Sequence, residues 1–305
     1  FSLLEEKGDE AGRFAVLRQI SSNLIRHKEY GRLAALLSSL PESDQEPPYG
    51  AWYLFTAAYA YEQALSAPIA AIYYDRVLKL WPDVEVDGRS VHRECLSRLI
   101  GLVDSPERRI GYYKDLLTRF PAGEEGGNLF LLAKEYEGIG DWDLAIKTYS
   151  EFMPYFGSVV PGYPDAFRYA RGIVEFYHSS KDWAYKDLQV LVGKVKAALA
   201  SGDPSRLKTY RAKVNFFASG WQSGDARTEG ESLFDFGEYM TSGRIQASPE
   251  LDPSSNGREA YLRTWGWADK ITTWYLCFRK IQFPANPDVH GSWEWAGIYF
   301  GEKVQ

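Results

Sequence analysis

Four histidines, two cysteines and one glutamate between indoles are the side chains most able to do chemistry in this chain. His27, His92, His178 and His290 stand singly, with no HxxxH or HExxH spacing, so no pair shares a helix face as a metal site requires. Cys95 and Cys277 lie 182 residues apart (277 − 95), outside any zinc or redox spacing. They read as two buried thiols, since cysteine is among the most buried residue types. The glycine-rich run at 123–127 has neither the lysine nor the preceding strand of a phosphate loop. No GxSxG elbow occurs. Glu294, between Trp293 and Trp295, could act as the proton donor of a glycosidase, but the sequence assigns it no second carboxylate. Read as part of a strand, Glu294 instead falls on a solvent face. The expectation is a non-enzymatic protein with no catalytic residue, metal or cofactor.

The remaining chemistry is that of binding. Aromatic residues make up 15 % of the chain, and six of its ten tryptophans (Trp221, Trp265, Trp267, Trp274, Trp293 and Trp295) fall in the last third. Strand alternation puts Trp265 and Trp267 on one face with Arg263, and Trp293 and Trp295 on one face with Tyr299. Trp265, Trp267, Trp293 and Trp295 are therefore a candidate platform for a sugar ring, a peptide or the preceding helices. The same residues could equally be the core of a small domain short of Leu and Ile.

What positions such residues is legible as internal periodicity. Tyr73-Tyr74-Asp75-Arg76-Val77-Leu78-Lys79-Leu80-Trp81-Pro82 is matched by Tyr112-Tyr113-Lys114-Asp115-Leu116-Leu117-Thr118-Arg119-Phe120-Pro121, 39 residues on (113 − 74). A weaker copy ends at Leu40-Pro41. Tyr136 with Asp141-Trp142 is echoed by Tyr177 with Asp182-Trp183, 41 residues on (177 − 136). Apolar residues three and four apart around Phe130–Tyr136 and Ala145–Tyr149 predict amphipathic helices. Gly138-Ile139-Gly140-Asp141 between them supplies a glycine stop and an aspartate N-cap. Each proline should end the second helix of its pair. Ala58 with Ala70, and Ala133 with Ala145, suit close helix crossings, with Tyr61, Tyr74, Tyr136 and Tyr149 filling the space beside them.

This pattern resembles the tetratricopeptide repeat over about residues 13–200. One copy is carried by Ala58, Tyr61, Ala70, Tyr74, Val77 and Pro82. A second has Ser97, Ile100, Arg109, Tyr113, Leu116 and Pro121, with Arg109 in place of the usual small residue. A third has Ala133, Tyr136, Ala145 and Tyr149, with Gly157 where proline is expected. The spacing exceeds the family's, which implies irregular hairpins, with residues 83–89 as an insertion loop. The resemblance implies an all-α superhelix of about five helical hairpins over residues 1–204. It also implies a partner-binding groove lined by the first helix of each hairpin: Trp52, Phe55, Tyr59 and Gln63, then Glu94 and Arg98, then Phe130 and Lys134. Trp52 and Phe55 could equally be core between hairpins.

After residue 204 the texture changes to glycine, serine and aspartate clusters alternating with aromatic and β-branched runs. Residues 258–268, 270–283 and 291–303 read as strands, and 213–221 and 243–246 more weakly so; 233–240 fits strand or helix. A tight connection is expected at 267–270. The expected second domain, 205–305, is a small antiparallel sheet, sandwich or barrel, making the chain a multidomain α + β protein. A net charge of −6 disfavours a general nucleic-acid partner, which needs a basic face. No run approaches a transmembrane helix. The chain begins at Phe1, so a leader or anchor removed before a periplasmic or other envelope location is one expectation, and a cytoplasmic location the other. The expected function is a scaffold or adaptor gripping another protein or peptide, in a bacterial envelope complex or elsewhere. The alternative is a glycan- or small-ligand-binding protein working through the tryptophan-rich domain.

Overall fold

Proline, glycine and capping side chains cut the first half of the chain into short helices of similar length. In the computed structural model, which describes residues 10–43, 49–121, 124–221, 235–240, 245–267 and 273–303, the chain packs as two compact units, 1–166 and 167–305.

The first unit is four consecutive helical hairpins: α1 (Glu10–Arg26) with α2 (Tyr30–Ser43), α3 (Gly50–Gln63) with α4 (Ala67–Leu80), α5 (Val91–Leu102) with α6 (Pro106–Arg119), and α7 (Glu125–Gly138) with α8 (Trp142–Phe152). Each helix packs on the next from α1 to α8, and α5 also packs against α3, an arrangement compatible with a helical repeat. Ala58, Ala70, Ala133 and Ala145 are fully buried at the crossings, and Tyr74, Tyr136 and Tyr149 are buried beside them. Small residues there let the backbones approach while the rings fill the flanking space. Asp141 caps α8 by accepting the Leu144 N–H at 3.2 Å. Pro82 and Pro121 lie just beyond α4 and α6, as the repeat predicts. Pro41 does not end its helix; α2 runs on to Ser43.

The insertion at 83–89 is not an open loop. It holds a two-stranded hairpin, β1 (Glu85–Val86) with β2 (Arg89–Ser90), turned through Asp87 (φ 54°) and Gly88 (φ 71°). Consecutive positive φ values match the right-handed twist of the flanking strands.

The second unit contains more than a sheet. It includes α9 (Ala166–His178), α10 (Leu188–Ser201) and the short α11 (Pro204–Lys208), followed by β3 (Phe217–Gly220), α12 (Phe236–Tyr239), β4 (Gln246–Ala247), β5 (Glu259–Trp265), β6 (Thr273–Lys280) and β7 (Trp293–Phe300). The echo of Asp141-Trp142 at Asp182-Trp183 does not start a helix: α10 begins at Leu188 and is capped by Asp187, which accepts the Val190 N–H at 3.0 Å. Trp183 is instead fully buried in this unit.

The sheet has the order β3-β7-β6-β5-β4. It differs from the expected antiparallel domain, because β3 runs parallel to β7, and it is open rather than closed into a barrel. Of the weakly signalled segments, 217–220 is β3 and 236–239 is helical; the expected turn at 268–270 and residues 243–244 lie outside the described residues.

Candidate protein-binding surface

The eight groove residues expected from the repeat divide by burial. Phe130 is fully buried, packed against Tyr149, Phe152 and Tyr163 at 5.7, 5.5 and 5.1 Å between ring centroids. It is a core residue and cannot touch a partner. Trp52 and Phe55 are half-buried: Trp52 meets Phe14 edge-on at 5.1 Å, and Phe55 lies 5.6 Å from Tyr74. Helix α3 packs against α2, α4 and α5. Tyr59, Glu94, Arg98 and Lys134 are partly exposed and Gln63 is exposed.

Two of the accessible residues, Arg98 and Lys134, are held by carboxylates that the repeat motif did not single out. Arg98 of α5 places its guanidinium 5.8 Å from the Tyr59 ring centre and donates to Glu62 Oε1 at 3.0 Å. The other oxygen of Glu62 accepts the Tyr74 hydroxyl at 2.8 Å. Two hairpins later the arrangement recurs: Lys134 donates to Glu137 Oε1 at 2.9 Å, and the Tyr149 hydroxyl donates to Glu137 Oε2 at 2.7 Å. Both Glu–Tyr pairs are 12 residues long, and the two are 75 residues apart (137 − 62 and 149 − 74). That shared spacing was the signal available in the sequence. Burial, with Glu62 adding to it, pushes the Tyr74 hydroxyl far above its ordinary pKa, in keeping with its role as donor to Glu62.

Arg109, where the repeat family has a small residue, does not enter the helix crossing. It forms a two-pronged pair with Glu135 of α7, at 2.8 Å through each nitrogen, and donates to the carbonyls of Val103 and Asp104 at 2.9 Å each. The guanidinium thus closes the end of α5 and ties the third hairpin to the fourth. Burial pushes the neighbouring Tyr113 hydroxyl up to about 12.

Of the four candidate platform tryptophans, three are in the core. Trp295 is fully buried, donates to the Gly297 carbonyl at 2.9 Å, and packs edge-on against Phe216 at 5.4 Å. Trp267 is fully buried, stacked on Trp274 at 4.2 Å with 7° between planes, and Trp293 is buried under the Lys280 ammonium. Only Trp265 stays partly exposed, donating to Gln246 Oε1 at 2.9 Å with Arg263 beside its ring.

Two backbone features defeat simple alternation. Gly266 (φ 82°) turns the chain after β5, sending Trp267 into the core while Trp265 remains outside. In β7 the pairings Cys277↔Gly297 and Phe278↔Trp295 leave Ala296 as an extra residue. Trp293 and Trp295 therefore share a face with Ile298, not with Tyr299. The opposite face carries Tyr261, Tyr275 and Tyr299, with Trp221 stacked on Tyr299 at 4.3 Å.

Glu294 is not on a solvent face. It is buried, with Oε1 paired to Arg279 Nε at 2.8 Å and Oε2 accepting the Trp183 indole N–H at 3.2 Å. Both its oxygens are engaged, so the side chain links strand β7 to Arg279 of β6 and to Trp183. Cys95 and Cys277 are both buried and form no disulfide, and burial holds the Cys95 thiol well above its ordinary pKa. Among the described residues, no three His, Cys, Asp or Glu side chains are grouped to hold a metal, and no helix is long and apolar enough to cross a membrane.

Comparison with known proteins adds no relative: no family model matches the chain, no curated protein matches its sequence and no solved structure matches its fold.

Proposed function

We propose that this protein is a non-enzymatic interaction scaffold of the tetratricopeptide type, in which the first helices of successive hairpins grip a segment of a partner protein. The observation that carries this reading is the meeting of α3 and α5 side chains: Tyr59 beside Arg98, with Gln63 and Glu94 accessible on the same two helices. An aromatic ring under a guanidinium is a surface rich in the residue types that dominate binding hot spots. Its geometry is set before any partner arrives, because Glu62 fixes Arg98. The glycan alternative loses support, since three of its four platform tryptophans are buried and only Trp265 is reachable.

The test is affinity capture from the native lysate and envelope fraction with the wild-type chain and with Tyr59→Ala/Gln63→Ala. Neither side chain is core, so Tm should stay within a few degrees while the captured partner is lost. Unchanged capture would remove the groove reading.

A further inference from the structure

The turns that close the first, second and fourth hairpins are built alike. The residue after the helix cap lies in the left-handed region: Lys28 (φ 59°), Leu65 (φ 59°) and Gly140 (φ 79°). The N–H one residue further on returns to the helix: Glu29 to Leu24 O at 2.9 Å, Ser66 to Tyr61 O at 2.9 Å, and Asp141 to Tyr136 O at 2.9 Å. Glycine is the usual choice at this position, because a Cβ there meets the following carbonyl oxygen. The fourth hairpin has glycine. The second has leucine, 93 % exposed, so neither packing nor backbone preference accounts for Leu65. An apolar side chain kept in a disfavoured conformation and in water points to use by something outside the unit.

Leu65 does not stand alone. Glu62–Arg98 ties the end of α3 to the end of α5, and Arg109–Glu135 ties the start of α6 to the end of α7. These pairs link the second hairpin to the third and the third to the fourth, and from them we infer that the three turns share one edge of the first unit. At either end of that edge are exposed apolar residues: Leu65 with Ile69 (42 %), and Ile139 (41 %) with Leu144 (37 %). Between them the third turn presents Asp104 and Glu107, both exposed and neither in an ion pair among the described residues. The nearby guanidinium of Arg109 is turned inward to Glu135, and that of Arg108 to Asp75 at 2.7 Å. The edge thus reads apolar, acidic, apolar.

We propose that this edge docks a partner-protein segment carrying two apolar side chains with lysine or arginine between them. Its contact residues are those of the turns and not Tyr59 or Gln63, while Glu62–Arg98 braces both surfaces. Charge complementarity selects this occupant over the alternatives. An anionic membrane surface would meet Asp104 and Glu107 with like charge. A second copy docked two-fold on the same edge would set those carboxylates against themselves.

The experiment uses the full chain and three labelled peptides of equal length, with Leu–Lys–Leu, Leu–Glu–Leu or Ser–Lys–Ser anchors, read by fluorescence anisotropy. The Leu–Lys–Leu peptide should bind best and weaken as salt rises. Leu65→Gly should weaken it about tenfold while leaving Tm unchanged or higher, because glycine suits the turn. Ile139→Ser/Leu144→Ser should also weaken it, and Asp104→Asn/Glu107→Gln should abolish the preference for Lys over Glu. The proposal is overturned if no peptide binds, or if these variants bind Leu–Lys–Leu as the wild type does. It is equally overturned if Leu65→Gly abolishes binding to phosphatidylglycerol vesicles or a self-association seen by sedimentation, with no effect on peptide binding.

Discussion

The two units bury aromatic residues by different means. In the helical unit, alanines occupy the crossings and tyrosines fill the gaps, and two of these send the hydroxyl to a carboxylate in their own hairpin: Tyr74 to Glu62 and Tyr149 to Glu137. In the sheet unit, tryptophans occupy the centre, and three of the buried indoles find an acceptor for their N–H inside. Trp267 uses Thr264 Oγ1 at 2.8 Å, Trp295 uses the Gly297 carbonyl at 2.9 Å, and Trp183 uses Glu294 at 3.2 Å. The Tyr–Glu pairs span 12 residues, whereas Trp183 and Glu294 are 111 apart. Repeated hairpins solve burial locally, so the solution can be copied along the chain. The sheet unit solves it once, with contacts from distant segments.

The largest expected effect tests that contrast at the centre of the sheet unit. Trp295→Ala removes a fully buried indole that packs against Phe216 and Phe236 and leaves a cavity no neighbour can fill. A loss of about 3–5 kcal/mol is expected in urea unfolding. A loss below about 1 kcal/mol would mean that the tryptophan core is not the main stabiliser of the unit, and the comparison would fail.

How much of each unit could be read beforehand follows the same division. The helical hairpins were legible because alanine and tyrosine recur at spacings set by helix geometry, and caps such as Asp141 act over three residues. Of the groove, Tyr59, Gln63 and Arg98 keep accessible positions, while Phe130 does not, because a one-position shift around an irregular helix carries a side chain from surface to core. Glu62 and Glu137 went unnoticed, since a motif defined by apolar residues is silent about polar partners. In the sheet unit, strand positions were legible from composition but the faces were not. The extra residue Ala296 reverses the phase of Trp293 and Trp295 relative to Tyr299, and nothing local to those residues announces it. The burial of Glu294 depends on Trp183 and Arg279, and no alternation pattern contains that long-range contact.

An intermediate effect asks whether the copied solution is energetically a copy. Tyr74→Phe leaves Glu62 with Arg98 alone, and Tyr149→Phe leaves one oxygen of Glu137 without its hydroxyl donor. Each should cost about 1–2 kcal/mol in denaturant unfolding, because a hydrogen bond to a charged, half-buried acceptor is lost while the ring still packs. Equal losses would make the two hairpins equivalent in energy as well as in spacing. A neutral result in one would show that there the carboxylate turns to water instead.

The smallest effect concerns His92, the titratable exception among the buried polar residues described in the helical unit. Its ring is buried at the start of α5, with Nε2 3.0 Å from the Trp81 carbonyl and Nδ1 against the Arg119 guanidinium. Those partners assign the neutral tautomer: Nε2–H donates to the carbonyl, and Nδ1 accepts from arginine. A protonated ring would have a donor on both nitrogens and would face Arg119 as cation against cation. Burial lowers the His92 pKa, Arg119 lowers it further, and Asp83, which accepts the His92 backbone N–H at 2.9 Å, partly opposes both. The folded value therefore lies below the unfolded one of about 6.5, and the unfolded chain takes up the proton first as pH falls. The stability attached to the neutral ring is complete above the unfolded value. It declines as pH drops from there through the folded value. His92→Gln, which keeps a donor and an acceptor but does not titrate, should flatten the fall in Tm between pH 7 and about pH 5 relative to wild type. A variant with the wild-type slope would assign that acid sensitivity to the carboxylate pairs of the hairpins, and His92 would cease to be an exception.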